Sequence, residues 1–140
     1  MKLFFTLTIK GLCVALSAVV ILFLSAMWTF SLKASEIDGS THAKRMIYIN
    51  SLGVAVDEDG FLFKETVIPT EFSDVYSEYN RLQKEAGFDL ARFKGKPVTV
   101  YSYPVSGQEK NLTLIVCDGN IIGGDIAETK LSGKMLPLRK

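Results

Sequence analysis

The sequence predicts an α+β domain, a mostly antiparallel sheet with two helices on one face, preceded by one transmembrane helix. Three observations predict it. Residues 11–32 form a run of 22 residues without a charge, set between Lys10 and Lys33. Residues 70–86 place Phe72, Val75, Tyr76, Tyr79, Leu82 and Ala86 at helical spacing. Beyond Pro97, three apolar runs are divided by turn residues, among them Asp118-Gly119, the strongest short-range hairpin signal in the chain.

The uncharged run comes first in the chain. At 1.5 Å per residue a helix of this length spans about 33 Å, slightly more than a hydrocarbon core of about 30 Å. Leu, Ile, Val and Phe fill half of it, and Trp28 stands near the outer end, where an indole prefers the interface. A cleaved secretory signal fits less well: its apolar region is about 7–15 residues, and Leu32 stands at −3 of the best cut site, after Ala34. Lys2 and Lys10, with no acid before the membrane, keep the short tail inside. The expected layout is a cytoplasmic tail at 1–10, an anchor at 11–32, a polar spacer at 33–40 and an extracytoplasmic domain at 41–140.

Within the domain the expected order is α-β-β-α-β-β-β. The first helix starts at Ser40 or Thr41 and stops at Leu52 before Gly53, with Ala43, Met46, Ile47 and Asn50 on one face, extended by Ile49 and Leu52. Val54 and Val56 lead into Asp57-Glu58-Asp59-Gly60 and then 61–68, which reads as a hairpin with an acidic turn. A calcium loop fails there, because Ala55 and Thr66 would fall where carboxylate ligands are needed. Thr70 is the expected cap of the second helix, and Gly87 its stop. Residues 89–93 form a helical turn that plugs the core with Leu90 and Phe93. Of the three strands that follow, 112–117 is apolar on both faces and so is central. Gly123-Gly124 in the last one signals a bulge or a close backbone approach, and residues 131–140 read as an irregular tail.

Composition narrows the chemistry. Without Lys2 and Lys10, 14 of the 16 Lys and Arg face all 15 Asp and Glu, a formal charge of −1. That balance gives no electrostatic reason to expect nucleic acid as a partner. Cys13 falls within the expected membrane span and Cys117 outside it, so the two cannot pair, and Cys117 reads as a buried strand residue. His42 is the one histidine and reads as a surface residue; no serine or acid pair accompanies it as a catalytic set would require. No catalytic residue, metal site or cofactor motif is assigned, and the chain reads as no enzyme. Asp125, which follows two glycines, is an acid without an evident structural task. Strand alternation sends Val98 and Val100 toward the helices and Tyr101 and Tyr103 to the opposite, uncovered face. Tyr101, Tyr103, Gly123, Gly124 and Asp125 are therefore the candidate binding residues for an envelope protein or a small ligand. Two other classes stay open: an envelope-acting enzyme using Asp125 and a second acid, and a structural component of an envelope complex.

Several phrases carry a resemblance. They are 68–76 (Ile-Pro-Thr-Glu-Phe-Ser-Asp-Val-Tyr), Tyr79-Asn80, 82–85, 87–90, Lys94-Gly95-Lys96 and 117–125 (Cys-Asp-Gly-Asn-Ile-Ile-Gly-Gly-Asp). In that order they resemble a family of bacterial extracytoplasmic domains of unknown function, found behind an amino-terminal membrane anchor in Gram-positive species. The resemblance covers residues 44–133 and implies a place outside the cytoplasm, with no catalytic residues to carry over. The function expected is a membrane-tethered extracytoplasmic binding or regulatory module. Protease added to intact, wall-stripped cells is expected to digest the chain beyond Lys33. A mature protein beginning near Ser35 would show instead that the apolar run is removed.

Overall fold

The computed structural model describes residues 36–130 and 133–139. The expected tail and membrane span at 1–32 lie outside the described residues. Among those described, no helix is long and apolar enough to cross a membrane.

Elements follow in the order β1 (Ile37–Asp38), α1 (His42–Ser51), β2 (Leu62–Val67), α2 (Asp74–Glu85), a 3₁₀ turn (Leu90–Phe93), β3 (Pro97–Pro104), β4 (Lys110–Cys117), β5 (Asn120–Glu128) and β6 (Met135–Pro137). All strand pairs are antiparallel, and the order across the sheet is β1-β5-β4-β3-β2, with β6 also on β5. The domain is thus α+β, with a six-stranded sheet and two helices. Residues 37–40, read from the sequence as the end of a spacer, belong to the fold: β1 pairs with β5, and Gly39 is buried.

The centre of the sheet is as expected. Asp118 and Gly119 turn β4 into β5 with φ of 49° and 81°, the two positive values a tight hairpin of this kind requires. β4 lies between β3 and β5, and all its residues from Leu114 to Cys117 are buried. The register shifts between Ile115 and Val116, which leaves Ile122 as the extra residue of a bulge.

The expectation of two helices on one face is corrected. Along β3, Tyr101 and Tyr103 pack with Met46, Tyr48 and Ile49 of α1, while Val98 and Val100 pack with Tyr76 and Tyr79 of α2. Neighbouring strand residues point to opposite faces, so the helices lie on opposite faces. On β4, Leu112, Leu114 and Val116 join the α1 cluster, and Ile115 and Cys117 join the α2 cluster. The physical reason is β2. It falls between the helices in the chain and forms the edge of the sheet, so the chain can change faces there.

Other local readings shift as well. Val54 and Val56 do not form a hairpin with β2. Val56 bridges Val105, on the same edge of β3 that β2 occupies, and the acidic turn bulges out between them. Asp57 Oδ1 accepts the amide N–H groups of Asp59 and Gly60, which closes the turn. In α1 the buried side chains are Arg45, Met46, Tyr48 and Ile49, while Ala43, Ile47 and Asn50 are exposed. His42 is half-buried rather than at the surface, its ring 5.2 Å from that of Phe61. The cap of α2 is Ser73, which accepts from Tyr76 N, and not Thr70. Val75 is 82 % exposed, whereas Asn80 and Gln83 are buried, so the stripe is rotated from the one that apolarity marks. The carboxy-terminal stretch contributes β6, against β5.

Cys117 is buried at the end of β4, and burial, followed by the neighbouring Asp118 charge, pushes its thiol pKa up. A thiol reagent is expected to modify it slowly in the folded chain and quickly after denaturation. Cys117→Ala is expected to cost about 1–2 kcal/mol in a denaturant melt. Equal labelling rates in both states would contradict this placement.

Candidate functional site

The five sequence-nominated residues do not form one surface. Tyr103 is 0 % exposed and Tyr101 half-buried, both beneath α1, so the uncovered face that nominated them does not exist. Their placement follows from the strand alternation already described, with α1 now on the odd-numbered side of β3. Gly123, Gly124 and Asp125 are buried on β5, with Gly123 and Asp125 toward α2.

This second group has a structural logic. β1 pairs with β5 only at Asn120 and Ile121, and β6 only at residues 125–127, so residues 122–124 lack a strand partner on that edge. Gln83 of α2 fills the gap: its Oε1 accepts the Gly124 N–H at 2.8 Å. A Cβ at Gly123 would lie 2.9 Å from that oxygen, and one at Gly124 would lie 2.1 Å from the carbonyl oxygen of Thr113. Both glycines are therefore demanded by close approach. Three residues before Gln83, Asn80 Oδ1 accepts Leu90 N while its Nδ2 donates to Asp89, tying the 3₁₀ turn to α2. Asp125 accepts a hydrogen bond from the Tyr79 hydroxyl at 2.8 Å. Burial raises its carboxyl pKa, and the Tyr79 hydrogen bond opposes that rise. Tyr79 is itself pushed up, first by burial and then by the Asp125 charge.

On the α1 side the sequence missed the residue with the most unusual surroundings. Arg45 is 5 % exposed. Its Nε donates to the Tyr103 hydroxyl at 2.9 Å and its Nη1 to the Gly39 carbonyl at 3.0 Å. Its Cζ lies 3.6 Å from the centre of the Tyr101 ring, a cation–π geometry. Among the described residues no carboxylate oxygen lies within 4.0 Å of it, and Nη2 has no partner. A signal was available: Arg45 stands four residues before Ile49 and seven before Leu52, on the inward line of the helix.

Beside this guanidinium an open groove of about 380 Å³ crosses the sheet. Thr99, Tyr101 and Val116 line it, with Ser40, Glu65 and Gly119 among its other wall residues. One wall residue, Tyr101, meets Arg45, whose plane rests on its ring, while Arg45 itself does not line the groove. Asp118, also on the wall, is 3.6 Å from Lys96 Nζ, whereas Glu65 has no ion-pair partner among the described residues. Near the start of α1, Asp38 accepts from Lys44, Ser40 Oγ and Ser40 N, and the Lys44 bond leads in lowering its carboxyl pKa to about 2. No group of three His, Cys, Asp or Glu side chains that could hold a metal ion is present among the described residues.

Compared with known proteins, the chain matches no family model, no curated protein and no solved structure.

Asp125 offers a direct test of its surroundings. With its folded pKa raised above the ordinary 3.8, its contribution to stability is fullest below pH 3.8 and is lost as pH rises through the raised value. Asp125→Asn keeps an acceptor for Tyr79 and removes the charge. The variant is expected to melt at or above the wild-type temperature at pH 7, with the difference shrinking or reversing toward pH 4. A variant that melts lower at pH 7 than at pH 4, relative to wild type, would contradict the buried placement.

Proposed function

We propose that this chain is a membrane-tethered extracytoplasmic binding or regulatory module, held by residues 11–32 and recognising its ligand in the groove beside Arg45. The tether rests on the uncharged run and the flanking lysines. The place outside the cytoplasm accords with the resemblance to Gram-positive anchored domains. One observation carries the binding role: an open groove with the exposed acids Glu65 and Asp118 on its wall, whose wall residue Tyr101 is held from behind by the buried Arg45 guanidinium. Burying a charge costs several kcal/mol unless it is paired or well hydrogen-bonded. Tyr101, Tyr103 and Gly39 offset part of that cost and fix the Tyr101 ring in the groove wall.

The placement of the ionisable groups supports reading the groove for binding rather than turnover. Asp125 is enclosed with Tyr79, while on the groove wall Glu65 has no ion-pair partner among the described residues and Asp118 is held by Lys96 and approached only by the buried Cys117 thiol, whose pKa is raised. A groove of this size also suits a small ligand, for which sites run from about 300 to 1,000 Å³.

The test uses the full chain in nanodiscs. Thr99→Trp fills the floor of the groove from a half-buried strand position. Envelope-derived small-molecule fractions are expected to raise the wild-type melting temperature and to leave this variant unmoved. Fractions that stabilise both proteins equally would remove the groove from the proposal.

A further inference from the structure

The edge of the sheet at β2 is a surface distinct from the groove, although Glu65 borders both. Recognition there does not depend on what the groove holds. β2 has β3 as its one strand partner among the described residues, and all six of its residues are exposed. It contains no proline and its register with β3 is unbroken, so its backbone leaves room for a further strand.

Hydrogen bonding shows which main-chain groups are open. Ile68, just beyond β2, donates its N–H to the Lys96 carbonyl at 3.0 Å and accepts the Gly95 N–H at 2.8 Å. Main-chain groups alternate in direction along a strand, so those of Thr66, Lys64 and Leu62 also turn toward β3. Those of Phe63, Glu65 and Val67 turn outward. Pro97, which has no N–H to give, stands opposite Val67 and agrees with this parity.

The side chains decide what can pair there. Phe63, Glu65 and Val67 stand opposite Tyr101, Thr99 and Pro97, so all three share the Tyr101 face. Two exposed apolar side chains therefore flank one acid. The exposed turn Asp57-Glu58-Asp59 lies in line with the same edge, because Val56 bridges Val105 just past the end of β3. Asp57, Glu58, Asp59 and Glu65 have no ion-pair partner among the described residues, and Lys64, equally unpaired, is the one cation within 57–67. Opposite charges directly across a strand pair are favourable, and like charges are not. We propose that β2 docks an extended basic segment of another protein as an added antiparallel strand. Its Lys or Arg stands opposite Glu65, apolar residues stand opposite Phe63 and Val67, and further basic residues follow beside the acidic turn.

The probe is the peptide Val-Thr-Lys-Thr-Val-Thr-Lys-Lys, blocked at both ends and titrated into the isotope-labelled full chain in nanodiscs. In the proposed register its first Lys faces Glu65 and its valines face Val67 and Phe63. Binding is expected to slow hydrogen exchange at the amides of Phe63, Glu65 and Val67, and to leave those of Lys64 and Thr66 unchanged. Glutamate in place of the first Lys is expected to weaken binding about fivefold, a preference that Glu65→Lys reverses. Methylating the main-chain nitrogen of the first Lys, which points at β2, is expected to weaken binding about tenfold, whereas methylating that of the next Thr leaves it unchanged. Glu65→Pro removes an outward N–H and no bond to β3, so it is expected to keep the fold and lose the peptide. The absence of saturable binding, tolerance of the methyl group on the first Lys, or an unchanged preference in Glu65→Lys would each overturn the proposal. Slowed exchange at the same three amides without peptide, growing with protein concentration, would make a second copy the occupant and overturn it too. Binding kept in Glu65→Pro but lost in Thr99→Trp would place the peptide in the groove, so that the groove reading stands and this proposal falls.

Discussion

Strand β4 has apolar side chains pointing both ways, and much of the domain follows from having to cover them. Leu112, Leu114 and Val116 face one side, Ile115 and Cys117 the other. Each large aliphatic side chain left in water would forgo about 1.5–3 kcal/mol. A single helical layer can satisfy only half of that demand. The chain answers with a helix on each face, α1 over the tyrosine side and α2 over the valine side, and β2 at the edge lets it change faces between them. Covering the tyrosine side brings Arg45 down onto Tyr101, whose ring also lines the open groove.

The opposite edge of the sheet shows a second constraint. Two short strands, β1 and β6, share one side of β5 and do not meet, so the backbone between them must be satisfied in another way. Gln83 does this with a side chain, which is why a polar residue is fully buried in the middle of a helix face. The glycines opposite it are the complement of that arrangement, since a methyl group at either would collide with Gln83, Leu90 or the Thr113 carbonyl.

Much of this was legible. The bounds of α1, the 3₁₀ turn with buried Leu90, the three-strand block and the tight turn at Asp118-Gly119 all follow from local rules of capping, periodicity and turn chemistry. What local rules do not carry is which face an element covers. The apolar character of β4 on both sides implied two covering layers, yet Tyr101 and Tyr103, amphipathic residues suited to interfaces or cores alike, were assigned to open surface. Buried polar residues misled in the same way. Apolar periodicity cannot mark Asn80, Gln83 or Arg45 as inward, because their partners (Leu90 N, Gly124 N and the Tyr103 hydroxyl) lie 10, 41 and 58 residues away. Sequence proximity suggests pairing Val54 and Val56 with β2, whereas Val56 bridges Val105, just past the end of β3, and β2 takes residues 97–102.

β2 leaves one edge of the sheet open, with Phe63 67 % exposed and Leu62 and Val67 also facing water. Such an edge invites a second copy of the same strand. Symmetry limits how it could join. A two-fold axis that sets the two strands antiparallel must stand perpendicular to the sheet, so each face continues into the same face of the copy. Only residues of equal parity can then stand opposite each other. Two such registers pair five of the six residues of β2: one sets Lys64 against Lys64, and the other sets Glu65 against Glu65. Like charges directly opposite are destabilising, and every other permitted register pairs three residues of the strand or fewer. Two adjacent, oppositely charged residues at the middle of β2 thus discourage this edge from pairing with itself, while a strand of different sequence is free of that penalty.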